Sequence, residues 1–132
     1  RTKGTKVFGY VKHTEIPKIY RKADIFVSPS RERYIGPFLW NEEFFGYTLM
    51  EAQASGLPIA ATRCGGIPEE VGEDNLLVDQ NDPKNLILAL KTLIKDDKLR
   101  RELGRKNRKR AEKLFDLKKQ VKKTETEILK LL

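Results

Sequence analysis

Asp24-Ile25-Phe26-Val27-Ser28-Pro29 places three large apolar residues in a row between an acidic residue and a Ser-Pro stop. The run is too short for a helix and shows no alternation. It suits a strand buried on both faces, as in a parallel sheet. We expect this strand to be central. Outward from it, similar segments alternate with helical ones. Val7-Phe8-Gly9-Tyr10-Val11 reads as a short strand upstream. Between the two, a helix is expected from about Thr14 to Lys22, with Thr14 as cap, Pro17 in the first turn, and Ile16, Ile19, Tyr20 and Ala23 on one face.

Downstream, the stretch from Ser30 to Glu43 holds Gly36, Pro37, Tyr34, Phe38 and Trp40 and reads as a loop. Thr48 to Ala54 reads as a short helix, with Thr48 near its cap and Gly56 as its stop. Pro58 to Thr62 is a second buried strand, turned by Gly65-Gly66. Ile67 to Val71 is a helical turn, and Leu76-Leu77-Val78 a last strand. Asp82-Pro83 opens a helix whose apolar face is Leu86, Ala89, Leu90, Leu93 and Ile94. Two more helical stretches follow, the last with Leu114, Leu117, Val121, Ile128 and Leu132 at helical spacing. Alternation of this kind predicts an α/β fold, a Rossmann-like parallel sheet with helices on both faces. Ligands of such sheets bind at the carboxyl ends of the strands, here the loops after Val11, Val27 and Thr62.

The chain has 132 residues, 39% apolar and 35% charged, enough for one globular domain. No run of about 18 apolar residues is present to span a bilayer. The polar opening shows no signal peptide. Because it opens on Arg1 rather than Met, we expect sequence to be lost upstream. Cys64 is the only cysteine and His13 the only histidine, so no metal-ligand cluster is visible and no intramolecular disulfide can form. Cys64 is most simply a packing residue, and a reducing, cytoplasmic setting fits.

Lysine and arginine number 27 against 19 acids. Between Lys95 and Lys123 stand 14 basic residues, against the acids Asp96, Asp97, Glu102, Glu112 and Asp116. This segment reads as a solvated helix face, as a contact with an anionic membrane surface, or as a nucleic-acid contact. A peripheral site at the inner membrane face follows from the second. The third ranks last, because only Gly104 and Phe115 supply the glycine or aromatic interleaving such binders use.

The most informative stretch for function is Glu43-Phe-Phe-Gly-Tyr-Thr-Leu-Met-Glu51. It opens a helix from a glycine-containing loop. Free N–H groups at Gly46, Tyr47 and Thr48 would point outward there and form an anion site suited to a pyrophosphate. Gly46 would let a ligand approach the backbone closely. Glu43 and Glu51 flank that site. A carboxylate can accept from two vicinal sugar hydroxyls at once. On the residues alone, Glu51 also reads as an ordinary exposed helix residue.

The block from Glu43 through Thr62, with Gly65-Gly-Ile-Pro-Glu69 behind it, closely resembles the signature of glycosyltransferase family 4. That signature is marked by two glutamates separated by seven residues. Gly9-Tyr-Val11, Ala23-Asp-Ile-Phe-Val-Ser-Pro-Ser30 and Asp82-Pro83 extend the resemblance over about residues 6 to 117. It implies a GT-B fold, two Rossmann-like domains facing across a cleft, of which residues 1–132 would be the C-terminal, donor-binding one, truncated at its N-terminus. It implies transfer of a hexose, mannose among the candidates, from a nucleotide-diphosphate sugar with retention, without a catalytic metal or other cofactor. The acceptor would be a glycan or a lipid-linked intermediate. By position, Glu51 would hold the ribose. Glu43 would face the donor sugar as the catalytic-site carboxylate. The backbone of Phe45, Gly46, Tyr47 and Thr48 would contact sugar and diphosphate, and Gly9, Tyr10 and Val11 would line the base.

The chain departs from the family pattern at several points. Phe44 stands where Pro or Gly is usual, which leaves the donor sugar open. The stretch from Ser30 to Glu43 is long, and the loop from Val71 to Leu76 short. The family's diphosphate-clamping Arg and Lys fall upstream of Arg1, and Arg1 and Lys3 do not replace them. By this resemblance, the acceptor domain is also missing, residues 114–132 form a helix that packs toward it, and the chain alone is inactive. A second hypothesis is a stand-alone nucleotide-sugar-binding or regulatory module working with a separate catalytic chain.

Overall fold

The computed structural model describes residues 4–41 and 46–131, and of residues 34, 35 and 39–41 the backbone alone. A 3-10 turn, His13–Glu15, leads into α1 (Ile16–Tyr20), with Pro17 at its start. Then come β1 (Phe26–Ser28), β2 (Arg33–Ile35), β3 (Phe38–Asn41), α2 (Tyr47–Ala54), β4 (Ile59–Thr62), α3 (Ile67–Val71) and β5 (Leu76–Val78). Three helices complete the described chain: α4 (Pro83–Lys95), α5 (Asp97–Leu114) and α6 (Leu117–Leu129).

Strands β1, β4 and β5 form a parallel sheet in that order, with Val27 opposite Ala60 and Ala61 opposite Leu77. Successive side chains point to opposite faces. Ile59 and Ala61 meet Leu49 and Ala52 of α2 and Ile67 and Val71 of α3, flanked by Tyr20, Phe26 and Leu77. Ala60 meets Leu93 of α4 and Leu103 of α5 on the other face, flanked by Ile25, Leu76, Leu86, Ala89, Leu90 and Leu99. Helices therefore cover both faces, the expected Rossmann-like arrangement.

The central strand is β4, not β1. All four β4 residues are buried, whereas Val27 is 37% exposed. The small Ala60 and Ala61 let helices close in from both sides. β1 has one partner strand among the described residues, so one edge of its apolar run is uncovered. The strand expected at Val7–Val11 does not form. Residues 5–9 carry no regular structure, and Val7, Phe8 and Tyr10 are exposed. Apolar composition favours a strand only where a neighbour accepts its backbone groups.

The stretch read as a loop after Ser30 instead contains an antiparallel hairpin, β2 with β3. Gly36 at φ +57 followed by Pro37 gives the positive-then-fixed φ pattern of a type II′ turn. Other corrections are local. Thr14 caps nothing, and Ala23 is exposed. Gly46 rather than Thr48 is the N-cap of α2. Ile94 turns outward, because α4 packs through Leu86, Ala89, Leu90 and Leu93 only.

The remaining helix ends follow the sequence. Asp82, Asp96 and Asp116 accept from the N–H groups of Asn85, Leu99 and Lys119 at 3.0, 2.8 and 3.0 Å. Helix α2 stops in a Schellman motif. Gly56, at φ +73, donates to Gln53 O, and Leu57 donates to Ala52 O. Leu117, Val121, Ile128 and Leu129 of α6 are exposed. Among the described residues no helix is long and apolar enough to cross a membrane.

Candidate functional site

The carboxyl end of β1 leads through the hairpin to the start of α2, so the α2 N-terminus lies where ligands of such sheets bind. The neighbouring strand ends are tied together there. Thr62 Oγ1 donates to Ser30 O at 2.5 Å, and Gln80 Nε2 donates to Glu32 Oε1 and Arg63 O. A helix start on this platform presents its first amides at a fixed place.

Two of the three amides expected to be open are so. The N–H groups of Tyr47 and Thr48 have no acceptor among the described residues, and both side chains are exposed. The Gly46 N–H is occupied: it donates to Glu70 Oε2 at 2.8 Å in a buried contact. Gly46 itself is buried, and a Cβ there would come within 3.0 Å of Leu49 Cδ1.

Glu51 follows one turn later, on the side of α2 that faces α1. Its side chain is 26% exposed. The Tyr20 hydroxyl donates to Oε2 at 3.3 Å, and His13 Nδ1 stands 3.6 Å from Oε1. The carboxylate opens into a cleft of about 520 Å³ whose walls include His13, Ile16, Tyr20, Arg21 and Arg108. A half-buried acceptor with room in front of it can receive two hydroxyls of a sugar ring. Burial first, and then the Glu51 charge, push the Tyr20 phenol up to about 12, so it keeps its proton and remains a donor near neutrality.

Of the other residues singled out by sequence, Gly9 takes φ +66, Tyr10 is exposed and Val11 half-buried, and no hydrogen bond joins them to α2. Glu43, Phe44 and Phe45 lie outside the described residues, as do Arg1 and Lys3. Two participants were missed. Tyr20 had been assigned to packing alone, and a contact across 31 residues leaves no local trace. Glu70 did leave one. Ile67, Glu70 and Val71 are spaced to share a helical face, and all three are buried.

The basic segment is partly neutralised. Arg108 pairs with Glu112, Lys106 with Asp74 and Glu102, and Arg100 and Arg101 with Asp97. Arg108 also donates to Ala54 O, and Arg110 to Glu69 O and Glu70 O, which fastens α5 to the elements that frame the site. Among the described residues, no group of three or more His, Cys, Asp or Glu is placed to hold a metal ion.

Comparison with known proteins identifies the family and the fold. The sequence model of the family described as "Glycosyl transferases group 1" matches residues 2–110. The chain is 44% identical over 92 residues to a D-inositol 3-phosphate glycosyltransferase of Corynebacterium efficiens, covering 68% of this chain and 19% of that protein. It is 32% identical over 110 residues to a sulfoquinovosyl transferase of Arabidopsis thaliana, covering 80% of this chain and 20% of that protein. The solved sucrose-phosphate synthase of Thermosynechococcus elongatus superposes with a TM-score of 0.69 at 28% identity, over 94% of this chain and 30% of that one. The chain thus spans about a fifth of the length of the curated relatives it matches. The fold is that of a Rossmann-like GT-B domain. With the family model running from the first loop through most of α5, the chain belongs to the group 1 glycosyltransferases.

Proposed function

We propose that this chain is the nucleotide-sugar-binding domain of a retaining hexosyltransferase. The observation that carries the proposal is the placement of Glu51. A half-buried carboxylate, hydrogen-bonded to Tyr20, opens into a cleft and stands one helical turn from the Tyr47 and Thr48 amides, which have no acceptor among the described residues. A nucleoside diphosphate offers a complementary part to each: a vicinal diol and an anionic diphosphate. Glu51 accepts from the ribose hydroxyls, and the Tyr47 and Thr48 amides receive the diphosphate. The loop at Gly9, Tyr10 and Val11 lines the base, and Glu43 faces the transferred sugar.

The chemistry assigned to these residues is positional and electrostatic. As the glycosidic bond breaks, charge builds on the leaving diphosphate, and fixed N–H dipoles stabilise it without reorganising. Mannose from a guanosine donor and glucose-type sugars from a uridine donor both suit the site. The acceptor class is a glycan or lipid-linked intermediate; two relatives, named for D-inositol 3-phosphate and sucrose-phosphate, add phosphorylated polyols and sugars.

The test is an amide-resolved NMR titration with nucleoside diphosphates and with inorganic phosphate. The Tyr47 and Thr48 amides are expected to shift with the diphosphates while the Gly46 amide shifts least. Shifts confined to α5 and α6 would refute the assignment, since they would mark adsorption to the basic face.

A further inference from the structure

Glu51 is held from outside its own helix. Among the described residues, the only hydrogen bond of the Tyr20 hydroxyl goes to Glu51 Oε2. That donor is itself fixed. The Tyr20 ring stands edge-on to Phe26, centroids 5.8 Å apart at 79°, and packs against the core cluster that contains Leu49 and Ile59. A guanidinium able to compete for the carboxylate, that of Arg108, lines the same cleft, yet its ionic partner is Glu112, with Nε 2.7 Å from Oε1. A glutamate side chain with free rotation beside a guanidinium tends to close onto it, because the planar fork matches a carboxylate. Such a pair would take up the acceptor capacity that a diol needs.

We propose that Tyr20 is a positioning residue for nucleotide binding, its hydroxyl keeping the Glu51 carboxylate turned toward the ribose and off Arg108. The inference rests on the assignment of Glu51 to the ribose. Tyr20 acts only through Glu51, so its effect belongs to ligands whose hydroxyls Glu51 receives. Its phenol, pushed up to about 12, stays protonated in the working range.

The experiment is calorimetric titration of the protein with ADP, GDP and UDP. The tightest of these is then compared with its 2′,3′-dideoxy form, which leaves Glu51 no ribose hydroxyl to receive. Tyr20→Phe retains the ring and its contact with Phe26, so the melting temperature should hold. Its affinity for the ribonucleotide should fall by about 3- to 10-fold, the effect of one charge-assisted hydrogen bond acting indirectly. Its affinity for the dideoxynucleotide should be nearly unchanged. Equal losses for ribo- and dideoxynucleotide would overturn the proposal, since they would mark a general packing role. Unchanged ribonucleotide binding would overturn it too. Glu51→Ala in the same panel separates the two levels. If it abolishes the ribose preference while Tyr20→Phe keeps it, the ribose assignment stands and the role of Tyr20 falls. If neither variant alters the preference, or no nucleotide binds, both fall.

Discussion

Gly104 stands where α5 crosses the end of α2. A Cβ built there would lie 2.2 Å from Gly56 O and 3.3 Å from Gly56 C. Carbon and oxygen normally approach no closer than about 3.2 Å outside a bond, so Gly104→Ala requires a retreat of roughly 1 Å. Neither side yields easily. Gly56 is locked at φ +73 by the Schellman bonds that end α2. Helix α5 is bound across the same seam by Asn107 Nδ2 donating to Leu57 O at 2.7 Å and by Arg108 donating to Ala54 O. In an open helix the change would stabilise by about 1 kcal/mol. Here overpacking costs about 1–3 kcal/mol, and weakening one buried hydrogen bond adds about 1. The expected net loss is about 1–3 kcal/mol. Urea unfolding followed by far-UV circular dichroism measures it, with exposed Lys109→Ala on the same helix as the control. A Gly104→Ala protein as stable as the parent, or more stable, would refute the reasoning.

The same seam and the site behind it give further expectations. Glu70→Leu removes the acceptor of the buried Gly46 N–H and should destabilise by about 1–3 kcal/mol, whereas Glu70→Gln retains an acceptor and should cost less; chemical denaturation of the pair checks the order. Asp82 is held below the usual carboxylate range by the Asn85 N–H first and the Asn85 side chain second. Because its folded form favours the charge, the stabilisation it gives α4 is present above about pH 5 and is lost as pH falls through its lowered value. The gap in unfolding midpoint between the parent and Asp82→Ala should therefore narrow on acidification. A gap that widens would reverse the sign of that argument.

Where local rules decide structure, the sequence was enough. Asp82-Pro83 capped α4, Gly56 stopped α2, and short apolar runs at Ile59 and Leu76 became parallel strands, the first fully buried and the second half-buried. It misled where a neighbour decides. Among the described residues, Val7–Val11 has strand composition but gains no partner, and β1 pairs on one side only, so Val27 stays partly exposed: burial follows position in the sheet, not hydrophobicity alone. The hairpin was legible in Gly36-Pro37 and was overlooked because its flanks do not alternate cleanly. At the site, the helix start after the glycine loop followed from the sequence pattern, whereas Glu51 was marked out by the family resemblance. Tyr20 and His13 could not be marked out so, since the fold brings them to Glu51 from another element. The pairing of Gly46 with Glu70 likewise spans 24 residues and closes an amide that the sequence had left open.

The most direct measurement is the nucleoside-diphosphate affinity of Glu51→Ala and Glu51→Gln beside the parent, by titration calorimetry. A carboxylate accepting from two ribose hydroxyls contributes charge-assisted bonds. Glu51→Ala should therefore weaken binding by about 1.5–3 kcal/mol, roughly 10- to 150-fold. Glu51→Gln, which keeps one acceptor, should fall between Glu51→Ala and the parent, and 2′,3′-dideoxy nucleotides should bind all three proteins alike. Equal affinity of Glu51→Ala and the parent for the ribonucleotide would contradict the assignment of this cleft to a nucleotide-sugar donor.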